Sequence, residues 1–171
     1  MQNMQTSGAA GACPRPPVSP AVAGRKRELW RDDVLQAMLR RHAGKRILIA
    51  DDSPTDRVRL GELLAAARFQ LDFAVDGADA VTRASDRPAD LVLMHVRMPV
   101  MDGLTATRVL RVLSFGRHVP IVAMSFGSLD DDGVACFAAG MDDIVAKPFV
   151  ADAVHRCLLR WLDRRAAGVC P

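Results

Sequence analysis

The stretch KRILIADDSPTDR, residues 45–57, decides the fold. Ile47 to Ala50 is a continuous apolar run that leads straight into two carboxylates, Asp51 and Asp52. A strand with one wet face alternates apolar and polar residues, whereas an unbroken run marks a strand buried on both faces, as in a parallel sheet. Ser53-Pro54-Thr55-Asp56 then reads as a helix start. It has an N-capping hydroxyl, a proline at the first helical position and an acid at the third, a variant of the capping box. The helix it opens is expected to run to about Ala67. A buried strand that ends in acids and turns directly into a helix is the opening unit of an α/β domain.

The same unit recurs downstream. Short apolar runs stand at Leu71–Val75, Leu91–Met94, Ile121–Met124 and Ile144–Ala146. The intervening stretches are long enough for crossover helices. Asp76-Gly77 precedes a predicted helix over 78–86, and Asp102-Gly103 precedes one with Leu104, Thr107, Leu110 and Ser114 on one face. A helix over 130–139 stops at Gly140, and the last, over 150–163, buries Val154, Leu158, Trp161 and Leu162. Five strands alternating with five helices predict a doubly wound α/β domain with a five-stranded parallel sheet, occupying residues 45–165. A tail of 166–171 remains.

Upstream, residues 1–24 are rich in Pro, Gly, Ala and Ser and are expected to be a disordered leader, because so little apolar surface does not offset ordering entropy. Residues 25–44 read as a linker helix with Leu29, Trp30, Val34, Leu35, Met38 and Leu39 on one face, stopped by Gly44. That face suits a partner or a second copy in a homodimer, or docking on its own domain.

At 171 residues, 50% apolar and 25% charged, the chain is neither wholly disordered, nor fibrous, nor a mini-scaffold. Tyrosine is absent and aromatics make up 5%, which argues against a stacking platform for single-stranded nucleic acid. Cys13, Cys136, Cys157 and Cys170 form no C-x-x-C pair and read as reduced thiols. No apolar run approaches the ~18–20 residues of a membrane span. The N-terminus lacks the basic start and apolar core of a secretory signal, so a cytoplasmic location is expected. Residues 1–46 carry nine Lys/Arg against three Asp/Glu, so the basic character belongs to the leader. Such a leader touches nucleic acid or an acidic partner, or simply stays solvated.

In an open parallel sheet, ligands bind beyond the carboxyl ends of the strands. The residues following the strands are therefore the candidates: Asp51 and Asp52 after the first, His95 after the third, Ser125 after the fourth, and Lys147-Pro148 after the fifth. Paired carboxylates suit a hard divalent cation. A hydroxyl and a lysine suit a phosphoryl group. Each also has an ordinary reading: Asp51 and Asp52 as helix caps, Ser125 and His95 as loop residues, Lys147 as a surface lysine. Their joint placement on one edge favours the functional reading.

Residues 45–165 resemble the receiver domains of two-component response regulators, above all those attached to hybrid sensor histidine kinases. The resemblance rests on KRILIADDSPTDR, PADLVLMHVRMPVMDGLTATR, PIVAMS and AGMDDIVAKPF, in the family's order and spacing. It implies a flavodoxin-like (βα)5 fold. It also implies that Asp51, Asp52 and the Arg97 carbonyl bind Mg2+, that Ser125 and Lys147 contact the phosphoryl group, and that Pro148 follows a cis peptide bond. Met98-Pro99 and Asp102-Gly103 would shape the loop beyond the acceptor. The implied partner is a histidine kinase or phosphotransfer protein.

The chain departs from the family where the family's phosphoacceptor aspartate falls, which here is His95. Imidazole forms no acyl phosphate and is a softer ligand, so Mg2+ binding is expected to be weak. Ile144 stands where the family carries a mobile Tyr or Phe beside the switch hydroxyl, and Phe126 where it carries a small residue. Phe126 narrows access to the site or fills the space left by the missing aromatic.

Three functions compete. The first is an atypical receiver that acts by protein–protein contact, through the face formed by helix 130–139, strand 144–146 and helix 150–163. The second is a phosphohistidine receiver using His95, since imidazole is a competent nucleophile. The third is a divalent-metal site of Asp51, Asp52 and His95. An autonomous enzyme is not expected, because no separate nucleophile–base pair or glycine-rich phosphate loop is present. No DNA-binding output domain is expected after the last helix.

Overall fold

A computed structural model describes residues 33–126 and 131–168. The expected leader, the start of the linker helix and the end of the tail lie outside the described residues.

Within them, five parallel strands form one sheet: β1 (Arg46–Ala50), β2 (Gln70–Ala74), β3 (Leu91–His95), β4 (Ile121–Ser125) and β5 (Asp143–Ala146), in spatial order β2-β1-β3-β4-β5. The helices are α1 (residues 33–42), α2 (Pro54–Ala65), α3 (Gly77–Asp86), α4 (Gly103–Val112), α5 (Asp131–Ala139) and α6 (Ala151–Ala166). This is the flavodoxin-like (βα)5 arrangement.

The unbroken apolar runs are explained by two cores, one on each face of the sheet. Ile47 and Ile49 of β1 point to one core, with Met38 of α1, Leu60 and Leu64 of α2, and Leu158 and Trp161 of α6. Leu48 and Ala50 point to the other, with Ala80 of α3, Ala106 and Leu110 of α4, and Cys136 of α5. Because successive side chains in a strand face opposite ways, the central strands between the two helical layers are apolar almost throughout, while the edge strands β2 and β5 carry Asp72 and Asp143. Each fully buried Leu or Ile contributes about 1.5–3 kcal/mol relative to exposure.

Three helices start on side-chain caps, the expected one at Ser53 and two more at Asp76 and Asp102. Ser53, Asp76 and Asp102 each accept a hydrogen bond from the N–H three residues on, at Asp56, Asp79 and Thr105. The capping box expected at Ser53 is half made. The Asp56 N–H donates to Ser53 Oγ at 3.2 Å, but the Ser53 N–H goes to Asp51 Oδ1 at 3.0 Å and the Asp56 carboxylate turns elsewhere. The helix expected to include Ser114 ends earlier, at Val112. Leu113 is extended, and Gly116 opens a short 3-10 turn (Gly116–His118) packed so closely on the Leu110 carbonyl that a side chain there has no room.

Of the linker helix, residues 33–42 are observed as α1, followed by Gly44 at φ +79°. Its apolar face docks on the molecule's own core: Met38 is fully buried, and Val34 and Leu35 pack beside it. His42 Nε2 donates to Asp163 Oδ1 of α6 at 2.7 Å, beside an Arg41–Asp163 ion pair. The cis peptide expected before Pro148 is present.

Candidate functional site

The strand order reverses between β1 and β3, and the candidate residues gather at the carboxyl edge around that point. Asp51 follows β1 and is fully buried. Asp52 beside it is exposed. His95 ends β3, Ser125 ends β4, and Lys147 follows β5; all three are buried.

Lys147 is held most tightly. Its ammonium donates to Asp51 Oδ2 at 2.6 Å and to Asp56 Oδ2 at 2.8 Å, with the side chain 1% exposed. The rings of Phe126 and Phe149 flank it, with centroids 4.9 and 5.5 Å from Nζ, so cation–π attraction adds to the ion pairs. The lysine's own loop is anchored on both sides. The Lys147 N–H donates to the Ser125 carbonyl at 2.8 Å, and Arg59 of α2 donates to the Phe149 carbonyl at 3.3 Å.

His95 is fixed by β4. Its Nδ1 lies 2.9 Å from the Met124 carbonyl oxygen. A carbonyl only accepts, so Nδ1 carries the proton and Nε2 is the nitrogen left for other chemistry. Nε2 faces Asp52 Oδ1 at 3.7 Å. Phe126 meets the imidazole edge-on, with ring centroids 6.3 Å apart. The Phe126 ring is 70% exposed, so it stands over the mouth of the pocket instead of filling a void within it. Ile144 lies on β5, part-buried against the second core. Arg97 is exposed on the loop after β3.

The edge thus brings Asp51 and Lys147 into contact and sets Asp52 near His95. It does not join Asp51, Asp52 and His95 into one ligand set: among the described residues no three His, Cys, Asp or Glu side chains are grouped to hold a metal ion. One carboxylate of the acidic pair is already occupied by an ammonium and a backbone N–H, and imidazole supplies no hard oxygen at the end of β3. The donor set present does not suit Mg2+, which takes oxygen ligands in near-octahedral geometry.

Asp56 and Phe149 were missed by sequence reasoning. Asp56 was read as a capping acid only. The signal was three carboxylates within six residues beside one sheet edge, a density of charge that calls for a cation close by.

The chain belongs to the response regulator receiver domain family, whose model matches residues 47–158. It is 35% identical over 118 residues to the sensor histidine kinase RcsC of Salmonella typhi, covering 69% of this chain and 12% of that protein. It is 34% identical over 122 residues to transcription factor SKN7 of Saccharomyces cerevisiae, covering 71% and 19%. The chain therefore spans less than a fifth of the length of these relatives. Among solved structures, the receiver domain of a sensor histidine kinase from Pseudomonas aeruginosa PAO1, which has magnesium coordinated in its active-site cleft, matches at TM-score 0.67 and 37% identity, over 71% of this chain and 99% of that one. Chemotaxis protein CheY4 of Vibrio cholerae matches at TM-score 0.66 and 26% identity, over 69% and 98%. A two-component signalling receiver is the class that fold and family define. No described helix is long and apolar enough to cross a membrane.

Proposed function

We propose that this chain is an atypical receiver that works in two-component signalling through protein contact, without an aspartyl phosphate. The observation that carries the reading is the imidazole at the end of β3, tied through Nδ1 to the Met124 carbonyl where the family's phosphoacceptor aspartate falls. An acyl phosphate needs a carboxylate, and His95 has none. A receiver ordinarily shifts between two conformations because phosphorylation favours one. Without that ligand the balance is set by the sequence or by a bound partner.

The partner class is a histidine kinase or phosphotransfer protein of the cytoplasm, and the chain is a binding module, not an enzyme. The α5–β5–α6 face is the docking surface we assign. It exposes Val134, Phe137 and Val150, and a cavity of about 570 Å3 opens between β5 and α6, lined by Ile144, Pro148, Arg156 and Arg160 among others. Apolar side chains ringed by arginines make a surface suited to a protein partner.

The test is incubation with Mg2+ and radiolabelled acetyl phosphate, beside a His95→Asp variant. The natural chain is expected to take no label, and the variant to gain one that alkali removes. An acid-labile, alkali-stable label on the natural chain would overturn the reading in favour of a phosphohistidine at Nε2.

A further inference from the structure

We infer that Lys147 is the resident cation of the acidic pocket, standing in place of a divalent ion. The inference rests on the reading of His95 above and extends it to the other half of the site.

Asp51 is fully buried, and a buried carboxylate demands a counter-charge. Here the counter-charge is covalently supplied. The Lys147 ammonium bridges Asp51 and Asp56 at 2.6 and 2.8 Å, and two aromatic rings close over it. All of its charge is spent inside the pocket. The reason lies at the end of β3. A carboxylate at 95 would compete for the ammonium, whereas an imidazole carries no negative charge to draw it, and the Nδ1–H of His95 is already committed to β4. Lys147 therefore turns back to β1 and α2. Asp56 makes the bridge two-sided: it sits in the first turn of α2 and so links that helix to the loop after β5. A metal entering at Asp51 has to displace an ammonium held by two carboxylates, and it gains only one further exposed acid, Asp52.

The pocket is consequently part-neutralised by a cation of the chain itself, and the same bridge ties α2 to the β5–α6 loop without a metal. The substitution at 95 removes the phosphoacceptor, and the Lys147 bridge removes the cofactor requirement with it.

The experiment is a thermal-unfolding series with MgCl2, together with a Mn2+ titration followed by the electron-paramagnetic-resonance signal of free Mn2+. For the natural chain, unfolding temperature is expected to be flat up to about 10 mM Mg2+, and Mn2+ to remain free, since a ligand stabilises only in proportion to its binding. Lys147→Met strips the counter-charge from Asp51 and Asp56. This variant is expected to unfold at lower temperature and to recover several degrees on adding Mg2+, with Mn2+ now bound. Lys147→Arg keeps a cation in the pocket and should stay indifferent to the ion. Saturable Mg2+ stabilisation of the natural chain overturns the inference. So does a Lys147→Met variant, folded or unfolded, that Mg2+ leaves unchanged. These outcomes are separate from the acetyl phosphate test. A labelled His95 refutes the signalling reading without placing a metal at Asp51, and a metal bound by the natural chain creates no phosphoacceptor.

Discussion

Arg111, on α4, reaches Asp142 ahead of β5, with Nη2 2.7 Å from Oδ2, and the same oxygen accepts the Ile121 N–H that begins β4. The guanidinium also donates to the carbonyls of Gly140, Gly116 and Val119 at 2.7–2.8 Å. One side chain thus satisfies three turn carbonyls and one carboxylate. Arg111→Met takes this donor from the three carbonyls and leaves Asp142 with only the Ile121 N–H, and a loss of about 3–5 kcal/mol is expected, as when one member of a largely buried ion pair is removed. Urea denaturation checks this through a lower midpoint with an unchanged slope. Arg111→Lys should recover little, because an ammonium lacks the planar fork that serves four acceptors.

Asp143 and Cys157 form a second pair, with Sγ 3.2 Å from Oδ2. Burial, reinforced by the neighbouring carboxylate, pushes the Cys157 thiol up to about 12. Since the thiolate is the reactive species, Cys157 is expected to resist iodoacetamide at pH 8 in the folded protein and to react fully in denaturant. Peptide mass mapping of Cys157 distinguishes the two. Rapid labelling of this residue in the native state would contradict the packing of β5 against α6.

Burial alone would push the Asp143 carboxyl up. Hydrogen bonds from the Trp161 indole, the Cys157 thiol and the Ile144 N–H, with the charge of Arg160, outweigh it and hold the group below the usual carboxylate range. A carboxylate depressed in the folded state contributes stability that is complete above the unfolded-state value of about 3.9 and is lost as pH falls through the lower folded-state value. The stability gap between the natural chain and Asp143→Asn should therefore be constant near neutrality and shrink below about pH 4. Urea midpoints followed by circular dichroism across that range test it, and a gap that widens in acid would show the opposite sign.

Gly103 opens α4 directly against the end of β3, and its N–H donates to the Val96 carbonyl at 2.9 Å. A Cβ there would fall on the His95 carbonyl oxygen. Gly103→Ala forces backbone to move on one side or the other, and about 1–3 kcal/mol of destabilisation is expected. Its His95 imidazole resonances should shift as well, because the strand end that carries the ring is what gives way.

The strands were legible because a sheet covered on both faces leaves its signature in every residue of the run: Ile47 to Ala50 alternate between two cores and all are apolar. The cap at Ser53 was legible because capping is local, whereas Asp76 and Asp102 read only as preceding their helices and prove to cap them. The site was legible only as a set of strand ends. That Lys147 would choose Asp51 and Asp56 depends on contacts more than ninety positions apart in sequence, and no local pattern encodes them. Arg111 escaped for the same reason. Its four partners are carbonyls and a carboxylate brought together by the 3-10 turn and the β4 and β5 entries, which the sequence announces only as loops. Ser114 was misplaced on α4 because helical periodicity continues past the point where Gly116 must press against Leu110.

The family match begins at Ile47 and ends at Leu158, yet Met38 is buried in the same core as Trp161 and Leu162. The stretch that the family model matches and the unit that packs around one core are thus different lengths here. α1 is on the inside of the second boundary and the outside of the first. α1 is tied to α6 through Asp163, which holds both Arg41 and His42.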